Sequence, residues 1–191
     1  MANEIAPPKT DDIVLVLSAQ HERIRALLAE LHETVAAVAD ITSDMAEPFQ
    51  ELVRLLVAHE AAEELVVYPT LRSGLEEGRL AGQRMAEEDE AKHLLAKLEK
   101  LAPAFFEFPA ALAELEQKVL AHAEQEEHTV FPLLERRLSA DDRQRMAGDF
   151  HYMVARAPTH AHAHSPESAV GNAVLGPVLA TIDRVRDAAR R

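Results

Sequence analysis

The chain has 191 residues, with 20 Lys+Arg against 33 Asp+Glu and a formal net charge of −13. That charge argues against nucleic acid or an anionic membrane as a partner and favours cations. The absence of Cys excludes disulfides, thiolate metal sites, iron–sulfur clusters and Cys nucleophiles.

Hydrophobic residues make up 48% of the chain and aromatics only 4%, with no Trp. Ala and Leu must therefore fill the core, which favours helices over a β-sandwich. No basic run precedes the first apolar segment, and Ile13 to Leu17 is too short for a signal core. No segment approaches the roughly 18 apolar residues of a membrane span. The expectation is a soluble cytoplasmic protein that contacts neither membrane nor nucleic acid.

Residues 1–10, with Pro7 and Pro8, read as a disordered lead. Thr10 or Asp11 is expected to cap a first helix running toward Asp40. Its apolar positions Val14, Leu17, Ile24, Leu28, Leu31 and Val35 recur at helical steps. A second helix is expected from Glu47 to Arg72, with Pro48 tolerated in the first turn and Ser73-Gly74 as the stop. A third is expected from Arg79 to Ala102, a fourth from Pro109 to Leu138, and a shorter fifth from Ser139 to Ala157. Residues 157–168 read as a linker, in which His160, His162 and His164 alternate. Ala169 to Arg191 has a weak amphipathic pattern. The fold class is all-α: an up-down antiparallel four-helix bundle over 11–157 with a fifth short helix, followed by a C-terminal tail over 158–191.

The second and fourth helices repeat one another. His59, Glu63, Glu64, Val67, Pro69 and Leu71 recur as His122, Glu126, Glu127, Val130, Pro132 and Leu134, at one offset of 63 (122 − 59). The first and third helices align more weakly, with His21 over Glu88. Two helix hairpins related by a pseudo-two-fold axis follow. Within each repeat the His and Glu are four residues apart, about 40° round a helix and about 6 Å along it, so they share a face. Two such pairs facing each other in a bundle core can hold two ions, with the carboxylates as bridges.

His21 interrupts the apolar stripe Leu17, Ile24, Leu28, Leu31, and Glu88 interrupts Met85, Ala91, Leu95, Leu98. A buried imidazole or carboxylate needs a partner or a metal. The candidate metal ligands are therefore His21, His59, Glu63, Glu88, His122 and Glu126. A rival third-helix pair is Asp89 and His93, about 140° round the helix from Glu88 in the case of His93; the stripe favours Glu88. Tyr68 is expected to pack at the end of the bundle, with a phenolic ligand as its alternative role. His32 lies too far along its helix from His21 to share an ion, and His128 is expected to be exposed. Glu22, Glu60, Glu64, Glu124 and Glu127 are expected to face solvent.

These paired HxxxE motifs, with a Pro downstream of each, resemble the hemerythrin-like, or HHE cation-binding, family. The resemblance covers about residues 11–138, and the tail resembles the extension of actinobacterial members. It implies a four-helix bundle with two iron ions, oxo- or hydroxo-bridged. His21, His59 and His122 would be terminal ligands, and Glu63 and Glu126 would bridge. The family usually carries a third-helix His where this chain has Glu88. The added anionic ligand favours ferric iron and points away from reversible oxygen carriage. The activities implied are catalase-like peroxide disproportionation, then nitric oxide handling. The alternatives are an iron- or oxygen-sensing module without turnover, whose tail contacts a partner protein, and a purely structural bundle. A His/carboxylate site leaves zinc or manganese open.

Overall fold

The computed structural model describes residues 12–37, 45–72, 75–101, 106–158 and 160. The described residues are helical with short connections and contain no strand. Helix α1 spans Ile13–Ala37, and Asp12 Oδ1 accepts from the Val14 N–H at its start, 3.0 Å away. The cap is thus Asp12, with its short acceptor side chain at the first free amide.

The second long helix is three pieces. Helix α2 spans Ala46–Ala62, a π-helical turn follows over Glu63–Val67, and α3 spans Tyr68–Leu71. The fourth repeats the pattern: α5 over Phe108–Gln125, a π turn over Glu126–Val130, and α6 over Phe131–Arg137. Helical periodicity alone predicts one continuous α-helix in each case. The prolines explain the difference. Pro69 and Pro132 have no N–H to give and would clash with the carbonyl four residues back. Widening the preceding turn lets Tyr68 N–H reach Glu63 O, and Phe131 N–H reach Glu126 O.

Between them lies α4, Leu75–Lys100. It starts one turn earlier than expected, since a helical Gly78 costs only about 1 kcal/mol, which packing against α3 overrides. Helix α7, Ala140–Val154, is capped by Ser139, whose Oγ accepts from Asp142 N–H. It packs against α1, α2 and the first π turn. The proposed lead and most of the proposed tail lie outside the described residues. Of the linker histidines, His160 is described, and its Nδ1 lies 2.6 Å from Glu99 Oε1.

The core divides into two apolar clusters. One joins Ile24–Leu31, Met45–Val57, Ala91–Leu98 and Phe108–Val119. The other joins Ile13–Leu17, Ala62–Leu71, Ala81, Val130–Leu134, Ala147 and Phe150. Every candidate ligand falls in the gap between them: His21 after Leu17, His59 and Glu63 around Ala62, Glu88 before Ala91, His122 and Glu126 before Val130. The site is a polar belt across the middle of the bundle, closed by hydrocarbon above and below. No helix among the described residues is long and apolar enough to cross a membrane.

Candidate metal centre

The six candidate ligands converge from four helices. His21, His59, Glu63, Glu88 and Glu126 are buried, and His122 is nearly so. Two donor groups form: His21, His59, Glu63 and Glu126, and Glu63, Glu88, His122 and Glu126. Within each group the donor atoms lie within 4.8 Å of one another. Ligands about 2.1 Å from one ion stand ~3 Å apart at right angles and ~4.2 Å apart across it. Glu63 and Glu126 belong to both groups.

Close contacts repeat this spacing. His59 Nε2 is 3.3 Å from Glu63 Oε2, His21 Nε2 is 3.4 Å from Glu126 Oε2, and His122 Nε2 is 3.5 Å from the same oxygen. These are longer than good hydrogen bonds. Among the described residues, buried side-chain atoms without a hydrogen-bond partner include His21 Nε2, both Glu63 oxygens, Glu88 Oε2, His122 Nε2 and Glu126 Oε2. Such atoms are rare in a folded core and costly. Here they point at one another, and all are electron-pair donors. The donor set fits two metal ions.

The electrostatics agree. Burial and the nearby Glu126 push Glu63 well above the usual carboxylate range, and burial and Glu60 do the same to Glu88. Burial opposes ionisation of Glu126 too, but His122 and His21 hold it at about 2. Burial lowers His59 to about 3, so its ring is neutral, as a ligand must be. Three carboxylates crowd together with too little positive charge, which cations would supply.

Each histidine is fixed from behind. His21 Nδ1 lies 2.9 Å from Glu127 Oε1, to which Arg25 Nη2 also donates at 2.8 Å. His122 Nδ1 lies 3.1 Å from Glu87 Oε2, and Arg84 Nη2 donates to the other oxygen at 2.7 Å. His59 Nδ1 lies 2.8 Å from Gln20 Oε1. An acceptor at Nδ1 makes that nitrogen the N–H and leaves the Nε2 lone pair facing the belt. Phe131 stacks on His21 at 5.5 Å, and Phe150 of α7 meets His59 edge-on at 6.1 Å.

Tyr68 does more than pack. Its hydroxyl donates to Glu88 Oε1 and lies 2.9 Å from Glu126 Oε1. Burial and three neighbouring carboxylates raise its pKa well above the usual phenol value, so it stays a hydrogen-bond donor. The alternative pair faces outward: His93 is half exposed, its Nδ1 lies 2.7 Å from the Asp89 carbonyl, and neither residue enters a donor group.

Several expectations need correction. Glu60 and Glu64 are buried, because the side of α2 and of the π turn that carries them is covered by α4, with Lys92 Nζ 3.5 Å from Glu64 Oε1. Glu127 is only partly exposed and serves His21. Arg84 is fully buried next to Met85, which is half-buried and packs against the second apolar cluster. Glu22 and Glu124 do face solvent, as does His128. The sequence signal for Gln20 and Glu87 is only a polar residue next to a ligand position, and Arg84 lies one helical turn before Glu88.

No solved structure matches the chain. Residues 12–162 match the hemerythrin HHE cation binding domain. The chain is 34% identical over 137 residues to an uncharacterized hemerythrin-like protein of Schizosaccharomyces pombe, covering 69% of this chain and 66% of that one. It is 30% identical over 135 residues to a protein of Nostoc sp. named DNA nickase, covering 71% of this chain but 37% of that one. The match over most of its length, on the residues that build the donor belt, shows that the chain belongs to the hemerythrin HHE cation-binding domain family.

Proposed function

We propose that the chain is a non-haem di-iron protein that reacts with small oxidants, hydrogen peroxide first and nitric oxide next. The observation that carries this is the sharing of Glu63 and Glu126 between two donor groups, with His21 Nε2, His122 Nε2, both Glu63 oxygens and one oxygen each of Glu88 and Glu126 buried without a hydrogen-bond partner. A bound redox-active ion pair supplies the electrons that interconvert peroxide, water and dioxygen. The chain's own residues do the rest. Glu63 and Glu126, common to both donor groups, would hold both ions, and the three histidines present Nε2 in a fixed orientation. Tyr68 holds Glu88 and Glu126 in place, and the two apolar clusters keep bulk water out.

The burial of the whole belt favours a second reading, an iron-binding or sensing module without turnover, with the tail contacting a partner. The name of the Nostoc relative suggests DNA as a substrate, but the match spans a minor part of that protein. A net charge of −13 argues against a DNA-directed role for this chain.

Elemental analysis of untagged protein from iron-supplemented cells tests the proposal. About two irons per chain are expected from a dinuclear bundle site, together with dioxygen evolution on adding peroxide. Fewer than about one metal per chain overturns the di-iron reading. Full loading without gas evolution selects the module.

A further inference from the structure

We propose that Glu60 is the hydrogen-bonding residue of a small-ligand cavity beside the donor belt, and that it selects hydrogen peroxide over ligands without an O–H group. This rests on the reading of the belt as a centre for small oxidants. Glu60 follows His59 directly, about 100° further round α2. It therefore points sideways, toward α4, rather than along the His59–Glu63 face.

A cavity of about 20 Å³ lies on the side of the belt nearer the first apolar cluster. One water needs roughly 10–15 Å³ of such space, so the cavity suits a molecule of about two heavy atoms. Ile24, Leu56, Ala91 and Val119 give it hydrocarbon walls. Its polar side includes His21, His59, Glu88 and His122, whose tasks are already set. Glu87 also lines it but is engaged by Arg84 and His122. Glu60 lines it as well, is only 5% exposed, and its Oε2 is buried with no hydrogen-bond partner.

A carboxyl group in that position needs a ligand that can donate or accept. Hydrogen peroxide has two O–H donors and two acceptor oxygens, so it pairs with Glu60 in either protonation state. Nitric oxide and dioxygen have no proton to donate and only weak acceptor atoms, so they leave an ionised Glu60 unpaired and pair poorly with a protonated one. Sites built to hydrogen-bond a substrate discriminate against analogues that lack the group. An alkyl hydroperoxide keeps one O–H, but its hydrocarbon part exceeds the cavity.

The test compares iron-loaded wild type, Glu60→Leu and Glu60→Gln for metal content, peroxide kinetics and nitric oxide affinity of the ferrous protein. Glu60→Leu is expected to keep its iron, to raise the peroxide KM about tenfold, and to leave nitric oxide affinity within about twofold. Glu60→Gln retains a donor and an acceptor and is expected to stay within about threefold of wild type for peroxide. Wild type is expected to consume hydrogen peroxide and not tert-butyl hydroperoxide. An unchanged KM in Glu60→Leu overturns the proposal while leaving the di-iron reading intact. So does a variant that loses iron, or that loses peroxide and nitric oxide affinity equally, since Glu60 is then structural. A fully loaded wild type that ignores peroxide overturns peroxide chemistry at the site, and the selectivity with it.

Discussion

His21 Nδ1 and Glu127 Oε1 stand 2.9 Å apart although 106 residues separate them, and Arg25 grips the same oxygen. Arg84, Glu87 and His122 build the same arrangement on the other side of the belt. The carboxylates are suited to it. Burial raises Glu127 and Glu87, but hydrogen bonds from Arg25 and His21, and from His122 with the charge of Arg84, hold both below the usual range. Both remain anionic acceptors. His59 has a neutral amide, Gln20, in this place.

Glu127→Ala is therefore expected to weaken metal binding by about 10- to 100-fold, the usual effect of losing an outer partner of a metal-bound histidine. Glu127→Gln should fall between Ala and wild type, since it keeps an acceptor. Competition with a chelator of known affinity measures this. An unchanged affinity would mean that stacking on Phe131 alone orients His21.

Tyr68→Phe keeps the ring in its apolar setting; Phe131 holds the equivalent place in the second half. It removes the donor shared by Glu88 and Glu126. The metal-free protein is expected to lose about 1–3 kcal/mol, the cost of a buried group left unpaired. The visible spectrum of the iron-loaded protein is expected to shift as Glu88 and Glu126 relax. Chemical denaturation and absorption spectroscopy read the two effects separately.

Glu63→Gln separates a metal centre from a structural bundle. Without metal, Glu63 is a buried carboxyl with no partner for either oxygen, so a neutral amide of the same size should leave stability unchanged or raise it. With metal, the residue common to both donor groups would lose an oxygen ligand. The rise in Tm that wild type gains on loading, by linkage of binding to folding, is expected to shrink sharply. Calorimetry of chelated and reloaded samples checks both halves. Equal Tm shifts in wild type and variant would remove Glu63 from the ligand set.

The metal-free protein should lose stability on both sides of mildly acidic pH. His59 is lowered to about 3 by burial, so its contribution is complete above the ordinary histidine value of 6.5 and is lost as pH falls toward 3. Glu60 is raised to about 8 by burial, so its contribution is complete below the ordinary value of 4.5 and is lost as pH rises through about 8. Glu63 and Glu88 are raised as well and act in the same direction as Glu60. The Tm of chelated protein is thus expected to peak near pH 4.5 and to fall from there toward pH 8, because three raised carboxyls outweigh one lowered histidine. Loaded protein should lack the alkaline fall, because cations stabilise the ionised carboxylates. A chelated protein whose Tm rises from pH 6.5 to 8 would contradict this balance.

The sequence by itself determined the long helices, their pairing and which six polar side chains meet in the core. A His and a Glu four residues apart must share a helix face. A polar residue in a leucine stripe must enter the core, and a repeat of both must bring two such faces together. Those inferences need only the geometry of one helix at a time. Tertiary structure decided what lies across from each face. Glu60 on α2 and Glu64 in the π turn that follows sit on a side that periodicity leaves polar, and only the position of α4 buries them. Arg84 is buried beside Met85, and its guanidinium reaches Glu87 and so serves His122. The π turns follow from where the carbonyls before Pro69 and Pro132 must go, which an averaged helical period does not register. The Glu127, Glu87 and Gln20 contacts join residues 35 to 106 positions apart. A helical period fixes an angle about one axis; what meets a side chain at that angle depends on the placement of the other axes, and packing alone sets it.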